Sequence, residues 1–91
     1  MESAWFVYIV RCVDGTLYTG VARDLHARLT QHNAGTGARY TRGRRPVELV
    51  YSENVASRSE ALRREHAIKR LSAADKQALV VEAPACQHGL K

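Results

Sequence analysis

The fold is decided by the stretch from residue 5 to residue 22, which reads WFVYIVRCVDGTLYTGVA. Its first part, Trp5 to Arg11, is rich in β-branched and aromatic residues and predicts a buried strand. The pair Asp14-Gly15 favours a tight hairpin turn, because both central positions of such a turn take positive φ. Thr16 to Ala22 is then expected to return as the second strand of an antiparallel hairpin.

Downstream, the pattern predicts three helices and one more strand. Asp24 is a good N-cap for a helix that runs to about Asn33 and ends at Gly35. Alternation from Val47 to Glu53 predicts a third strand. The capping box Ser57–Glu60 predicts the start of a helix that runs to about Leu71. The same capping pattern at Ser72–Asp75 predicts a short final helix that runs to Glu82.

This order, β-β-α-β-α-α, defines an α+β fold with a small three-stranded antiparallel sheet flanked by helices. The length of 91 residues suits one domain, which we place at residues 1–83. Pro84 breaks the last helix, so residues 84–91 are expected to form a flexible C-terminal tail.

Composition narrows the class of protein. The apolar run from Trp5 to Val10 is far shorter than the roughly 20 residues that a spanning helix needs, and the chain opens without a signal segment. The two cysteines, Cys12 and Cys86, have neither a disulfide framework nor zinc-ligand spacing. We therefore expect a soluble cytoplasmic protein with free thiols and no membrane partner.

The charge balance indicates an anionic partner. The net charge is +5 and the pI about 9.7, which makes nucleic acid the first candidate, ahead of an anionic membrane surface or an acidic protein. The segment from 34 to 46 has no apolar period and is predicted to be a long basic loop. Its cations interleave with one aromatic ring, a pattern typical of a groove that follows a nucleic-acid backbone: Arg39, Tyr40, Arg42, Arg44 and Arg45. The alternative is an exposed loop with no partner.

Glu65 is out of place on the third predicted helix. At 100° per residue, Ala61, Leu62 and Ile68 share one apolar face, and Glu65 lies in the middle of it. A carboxylate there is costly unless paired. Two interpretations stay open: a salt bridge with an arginine from the sheet or the first helix, or a metal ligand or general base at the edge of the core.

A second group of polar residues points toward the same region. Arg28 and His32 lie one turn apart beside the apolar stripe of the first helix, where they could bind a phosphate and move a proton. Tyr8 and Tyr18 are expected at nearly the same cross-strand level. Gly20, inside a strand, suggests the close approach of a ligand backbone.

Together these residues resemble the GIY-YIG nuclease family. Val7-Tyr8-Ile9 and Tyr18-Thr19-Gly20 are similar to its paired signature, Arg28 matches the arginine of its first helix, and Glu65 its metal-binding glutamate. The likeness spans Trp5 to Leu71 and is nearest to small single-domain bacterial members. His32-Asn33, Gly37-Ala38 and Thr41 are also similar to structure-specific endonucleases that cut branched DNA.

The resemblance implies a divalent-metal-dependent phosphodiesterase that cuts DNA, with single-stranded or structured DNA favoured and RNA as an alternative. Mg²⁺ or Mn²⁺ would bind Glu65 and the scissile phosphate. Arg28 would neutralise developing charge, Tyr18 would hold phosphate, and Tyr8 and His32 would handle the proton. The remaining predicted nucleic-acid contacts are Gly20, Arg23, Arg39, Tyr40, Thr41, Arg42, Arg44 and Arg45.

The chain departs from the family pattern at three positions. Val7 replaces the first glycine, Val21 replaces a lysine that often contacts phosphate, and Gln77 stands where many members have asparagine. Arg23 is the expected substitute for the missing lysine. The alternatives to a nuclease are a nucleic-acid-binding module without catalysis and a scaffold for an acidic protein. If the chain is a nuclease, a protein partner could supply its specificity, and DNA repair is one pathway in which it could act.

Overall fold

Strand β1 (Trp5–Arg11) lies at the centre of the sheet. It pairs antiparallel with β2 (Leu17–Ala22) on one side and with β3 (Glu48–Val55) on the other, which gives the order β2-β1-β3. The computed structural model describes residues 4–82. The predicted three-stranded antiparallel sheet is confirmed, and β2 and β3 are its edges. The tail from 84 to 91, with Cys86, lies outside the described residues.

The helices are α1 (Leu25–Ala34), α2 (Arg39–Arg42), α3 (Arg58–Lys69) and α4 (Ala73–Glu82). The predicted order is confirmed with one addition, since the segment expected to be an irregular basic loop contains α2. A single turn carries no periodic signal, so the sequence pattern does not reveal it. All four described helices are too short or too polar to span a bilayer.

Capping residues set the helix ends as the sequence indicates. The Asp24 carboxylate accepts a hydrogen bond from the Ala27 amide at 3.0 Å, and Gly35 ends α1 with a φ of 87°. Ser57 accepts from the Glu60 amide at 3.2 Å. The Glu60 carboxylate in turn accepts from the Ala56 amide, one residue before the cap. Backbone groups that the helices leave unpaired are thereby satisfied.

Two apolar clusters cover opposite faces of β1, because side chains alternate along a strand. Val7 and Ile9 pack against Ala61 and Ile68 of α3, with α4 beside them. Tyr8 and Val10 face the other way, toward Leu25 and Leu29 of α1 and toward Cys12, Ala22 and Val47. Each fully buried aliphatic side chain contributes about 1.5–3 kcal/mol. Cys12 is buried as well and acts as a small core residue of this second cluster.

The strict alternation predicted for the third strand is wrong at one point. Ile9 pairs with Tyr51 and Val10 with Leu49, so Val50 is an extra residue in a β-bulge. Val50 and Tyr51 are consequently both buried. Leu62, which the helical pattern placed in the core, is 38% exposed. The α3 face that packs on the sheet is narrower than the sequence predicts.

Gly20 is needed by the protein's own tyrosine. Tyr8 and Gly20 are directly opposite each other on β1 and β2. A Cβ added at Gly20 would lie 2.5 Å from the Tyr8 hydroxyl oxygen and 2.7 Å from the ring carbon that bears it. The prediction that Gly20 admits a ligand backbone is corrected accordingly, because the Tyr8 ring occupies that space.

We predict that Gly20→Ala destabilises the protein by about 1–3 kcal/mol, because the Tyr8 ring must move from a packed position. Urea unfolding followed by circular dichroism measures this. Gly43→Ala is the control, since a Cβ there meets nothing within 4 Å and φ is −96°. Equal stability of the two variants would contradict the packing role of Gly20.

Candidate active site

A buried chain of hydrogen bonds links the sheet to α1 and α2. The Tyr8 hydroxyl lies 2.8 Å from His32 Nε2, and His32 Nδ1 lies 2.8 Å from the Thr41 hydroxyl. Tyr8 is 2% exposed, and His32 and Thr41 are fully buried. Side chains far apart in the sequence are thus joined in one polar array inside the fold.

The hydrogen bond that Thr41 donates determines which group is the donor in each of the other bonds of this array. The Thr41 hydroxyl donates to the Ala38 carbonyl at 3.0 Å, so its oxygen accepts the proton on His32 Nδ1. Nε2 of the neutral imidazole then carries the lone pair and accepts from the Tyr8 hydroxyl. The network therefore orients Tyr8 as a proton donor and His32 as a proton acceptor.

Burial keeps both members of the pair neutral. It raises the pKa of Tyr8, and the guanidinium of Arg28 offsets only part of that rise. Burial, followed by the charge of Arg28, lowers the pKa of His32. The pKa of Tyr8 is thus raised in this state, and His32, a base, is already hydrogen-bonded to it, in keeping with the expectation that Tyr8 and His32 handle the proton together.

Arg28 lies beside this pair, as its position one turn before His32 predicts. Its Nε donates to the Tyr8 hydroxyl oxygen in a long bond of 3.4 Å, and a terminal nitrogen donates to the Gln31 side chain at 2.9 Å. A long bond is a weak one. The guanidinium is thus held next to the phenol oxygen with donors that remain able to bind an anion.

Glu65 reaches the site from α3 through its ion pair with Lys69. Its helix, α3, packs on the Val7 and Ile9 face, yet its charge contributes to the raised pKa of Tyr8. The carboxylate is 19% exposed and pairs with Lys69 at 3.1 Å. The Lys69 ammonium also lies 5.8 Å from the centroid of the Tyr18 ring. The site therefore extends around the free edge of β2.

Two interpretations of Glu65 were open: a salt bridge with an arginine, or a metal ligand or general base. Its ion pair decides between them only in part. It does have a cationic partner, but that partner is a lysine one turn along the same helix, and no arginine from the sheet or from α1 pairs with it in residues 4–82. A partly exposed ion pair of this kind is weak. The carboxylate remains accessible to a stronger cation.

The aromatic rings of the site form a continuous series. The Tyr18 ring packs edge-on against the His32 ring and stacks on the Tyr40 ring, with distances between ring centroids of 5.5 Å and 5.7 Å. The Arg44 guanidinium lies 4.1 Å from the Tyr40 centroid. Tyr18 is opposite Val10, two cross-strand pairs nearer the turn than Tyr8. The two tyrosines are diagonal neighbours on one face, slightly further apart than predicted.

Several predicted nucleic-acid contacts have structural partners. Arg44 pairs with Asp14 of the hairpin turn at 3.1 Å, and Arg45 donates to the carbonyls of Arg42 and Asn33. Arg39 and Arg42 are exposed. These bonds fix the basic segment against the turn and the end of α1, and leave cationic groups of α2 facing solvent.

Two of the predicted contacts require correction. Thr41 is fully buried and bonds to His32, so its side chain does not face a nucleic acid. Gly20 is covered by the Tyr8 ring. The exposed Arg23 guanidinium lies 5.6 Å from the centroid of the Trp5 ring, and its role as the substitute for the missing lysine stays a prediction.

The available side chains suit a metal ion that takes most of its ligands from water and substrate phosphate. Among residues 4–82 no three histidine, cysteine or acidic side chains cluster as a cation cage, and both nitrogens of His32 are engaged by protein groups. Glu65 alone offers an accessible carboxylate at the site. Mg²⁺ is commonly held by one or two carboxylates together with water and substrate phosphate, so these residues fit such an ion.

Sequence reasoning missed one residue of the site, Lys69, although the i,i+4 spacing of Glu65 and Lys69 is a signal that could have revealed it. Gly37 is among the residues that resemble structure-specific endonucleases, but its contact is not predicted. A Cβ at Gly37 would lie 2.6 Å from His32 Nδ1, so glycine is required for the close approach of this segment. That contact is tertiary, and no local pattern indicates it.

Comparison with known proteins agrees with this geometry. Residues 4–78 match the family model of the GIY-YIG catalytic domain. Because the match covers most of the chain, the protein belongs to the GIY-YIG family. Within that family it groups with the small UPF0213 proteins, and the resemblance inferred from its motifs is confirmed.

Two relatives and two solved structures illustrate the similarity. The chain is 60% identical over 80 residues to a UPF0213 protein of Desulfotalea psychrophila, covering 87% of this chain and 73% of that protein. It is 54% identical over 77 residues to one from Staphylococcus epidermidis, covering 85% and 94%. A solution structure of UPF0213 protein BH0048 from Bacillus halodurans aligns with a TM-score of 0.56 and 44% identity, covering 86% and 83%. The structure of EF2693 from E. faecalis aligns with 0.58 and 36%, covering 92% and 96%.

We predict that Thr41→Val changes the tautomer of His32. Valine matches the shape of threonine but cannot accept from Nδ1–H, so the buried donor is left unpaired at a cost of about 1–3 kcal/mol. The Nε2–H form should gain population, which ¹⁵N NMR of the imidazole measures directly. Thr41→Ser, which keeps the hydroxyl, is the control and should retain the Nδ1–H form. An unchanged His32 spectrum in Thr41→Val would contradict the assigned bond directions.

Proposed function

We propose that this protein is a divalent-metal-dependent endonuclease that hydrolyses phosphodiester bonds in DNA, with single-stranded or structured DNA favoured. The observation that carries the proposal is the buried hydrogen bond from the Tyr8 hydroxyl to His32 Nε2. It couples a hydroxyl group at the site to a neutral base, the arrangement needed to take a proton from water. Membership of the GIY-YIG family supports the reaction class.

The proton route begins at the Tyr8 oxygen. As Tyr8 gives its proton to His32 Nε2, its oxygen takes one from an attacking water, and the hydroxide forms a bond to phosphorus. The bond from phosphorus to the leaving oxygen breaks, and that oxygen is protonated by solvent. The net result is a protonated His32, which returns its proton to solvent through Tyr8. Of the two, His32 is the base and Tyr8 the relay.

Arg28 serves the phosphate and the relay together. Its guanidinium is held beside the Tyr8 oxygen, so it stabilises negative charge on that oxygen as the proton leaves. Its other donors are placed to bind a nonbridging phosphate oxygen, which becomes more negative in the transition state. The Tyr18 hydroxyl is the second phosphate contact in this proposal.

Glu65 is the residue that would hold Mg²⁺ or Mn²⁺. Such an ion, when bound, supplies Lewis-acid stabilisation of the phosphate and of the leaving oxygen. The carboxylate is partly exposed and is held only by a weak ion pair with Lys69, whose ammonium lies 5.8 Å from the centroid of the Tyr18 ring.

Substrate selection follows from the surface around the site. Arg39 and Arg42 on α2 are exposed beside the stacked Tyr40 and suit contacts to a phosphate backbone. A four-residue helix is too short to read base edges in a groove. We therefore infer recognition by backbone shape, or through a partner protein.

A nucleic-acid-binding module without catalysis is the second candidate, and the ion pair between Glu65 and Lys69 favours it. A bare carboxylate would repel a phosphate, but Lys69 neutralises Glu65 in the absence of any metal. A binder could therefore retain this glutamate. The buried base is the feature that this alternative leaves without a purpose.

The test is cleavage of labelled single-stranded, duplex, flap and branched DNA, and of RNA, in Mg²⁺, Mn²⁺ or EDTA. We expect wild-type cutting that stops in EDTA and falls about a hundredfold or more in Glu65→Ala, because several kcal/mol of charge stabilisation are lost. Glu48→Ala is the matched control, as an exposed glutamate on β3. Salt-sensitive binding with no cutting in any metal would favour the second candidate.

The pH dependence of cutting tests the proton route. His32 accepts a proton only when neutral, and its pKa is lowered from 6.5 by burial and by Arg28. Activity should therefore persist below pH 6.5 and decline only as pH falls through the lowered pKa. The raised pKa of Tyr8 predicts no inflection from the phenol near neutrality.

Tyr8→Phe and His32→Gln should each lower the rate by about 10²–10⁴, the usual contribution of a positioned acid or base. Single-turnover rates between pH 5 and 9 separate this loss from changes in binding. A midpoint above 6.5 would contradict the lowered pKa of His32, and an acid limb that is unchanged in His32→Gln would exclude His32 as the base.

A further inference from the structure

Lys69 has the position of an active-site cation, although the sequence pattern gave it no role. Its ammonium contacts the Glu65 carboxylate at 3.1 Å and lies 5.8 Å from the Tyr18 ring centroid. The side chain is 49% exposed, so it is free to change rotamer. It therefore stands between the proposed metal ligand and the proposed phosphate contact.

The family signature often provides a lysine from β2, and here Val21 occupies that position. Arg23, the nearest cation along the chain, is directed to Trp5 instead. Lys69 reaches the site from α3, across the free edge of β2. The lysine missing from the strand thus has a counterpart on a different element.

We propose that Lys69 is a shared cation of the active site: it holds Glu65 in competition with the divalent metal, and it transfers to a substrate phosphate when the metal occupies that carboxylate. This inference rests on the proposed nuclease function and deepens it. The consequence is that metal binding and phosphate binding depend on each other. A metal ion at Glu65 would release Lys69, and a substrate phosphate would then pair with the released ammonium.

The charges make this exchange favourable. A divalent ion attracts the carboxylate more strongly than one ammonium does, and the ammonium on a four-carbon stem keeps three donors for a phosphate nearby. The ion pair that must break is partly exposed and of the i,i+4 type, so it is worth little. Glu65 is therefore kept oriented at small cost to metal binding.

The first test is Mn²⁺ binding without nucleic acid, measured from the free-ion signal by electron paramagnetic resonance. Lys69→Met should bind Mn²⁺ roughly two- to fivefold more tightly than wild type, because the competitor is gone. Arg63→Met is the matched control, since it removes one positive charge from an exposed position on the same helix. Its Mn²⁺ affinity should equal that of wild type.

The second test is binding of a labelled oligonucleotide in Ca²⁺ over a range of salt, with Ca²⁺ chosen because it takes oxygen ligands in looser geometry than Mg²⁺. Lys69→Met should bind less tightly, and its slope of log K against log salt should be smaller by about 0.7–0.9, the value of one phosphate contact. Lys69→Arg should restore the slope. A helix-stabilising lysine would change the unfolding midpoint but neither of these readouts.

The outcomes separate this inference from the proposed function. Equal Mn²⁺ affinity in wild type, Lys69→Met and Arg63→Met would overturn the competition while leaving the metal site intact. Binding in wild type that survives Glu65→Gln, or no binding in any variant, would remove the metal site and this inference with it. An unchanged salt slope in Lys69→Met would overturn the transfer to phosphate.

Discussion

The hydrogen bond between Tyr8 and His32 constrains the rest of the molecule. Two polar rings are buried here with almost no exposure, and polar groups in that position are costly unless each is bonded. The surrounding sequence meets that requirement. Gly20 leaves room for the phenol, and Gly37 lets the chain approach the imidazole. The Thr41 hydroxyl oxygen accepts the hydrogen bond from His32 Nδ1–H. These residues come from four separate segments, so assembling this one polar array requires the hairpin, α1 and α2 to be in place together.

Electrostatics around the array keep it neutral at rest. Burial opposes a charge on either ring, and Arg28 opposes a positive charge on His32 while favouring a negative one on Tyr8. The same cation therefore lowers the basicity of the proton acceptor and assists the proton donor. A single guanidinium at 3.4 Å from the phenol oxygen gives both effects without forming a tight ion pair that would fix the charge state. Glu65 is neutralised separately by Lys69, which limits its repulsion of the phenol oxygen.

Local signals made the strands, the hairpin turn and the three longer helices predictable, because caps and alternation are properties of neighbouring residues. The motifs also placed Tyr8, Tyr18, Arg28 and His32 in one region, and the structure brings them together. The errors concern contacts between distant segments. The bulge at Val50 depends on how β3 meets β1, and the burial of Thr41 depends on α2 folding back onto α1. The placement of the Arg23 guanidinium over the Trp5 ring likewise depends on the pairing of β1 with β2.

Helix α2 shows why the exposed and buried parts of the site act together. A helix of four residues has no stability of its own, so it persists through its contacts. Those contacts are the Thr41 bond to His32, the stacking of Tyr40 on Tyr18, and the ion pair of the adjoining Arg44 with Asp14. The same turn presents Arg39 and Arg42 to solvent. In the proposed function, a nucleic-acid backbone bound by these arginines would be positioned by the same helix that orients His32 through Thr41, and displacement of α2 would disturb both at once.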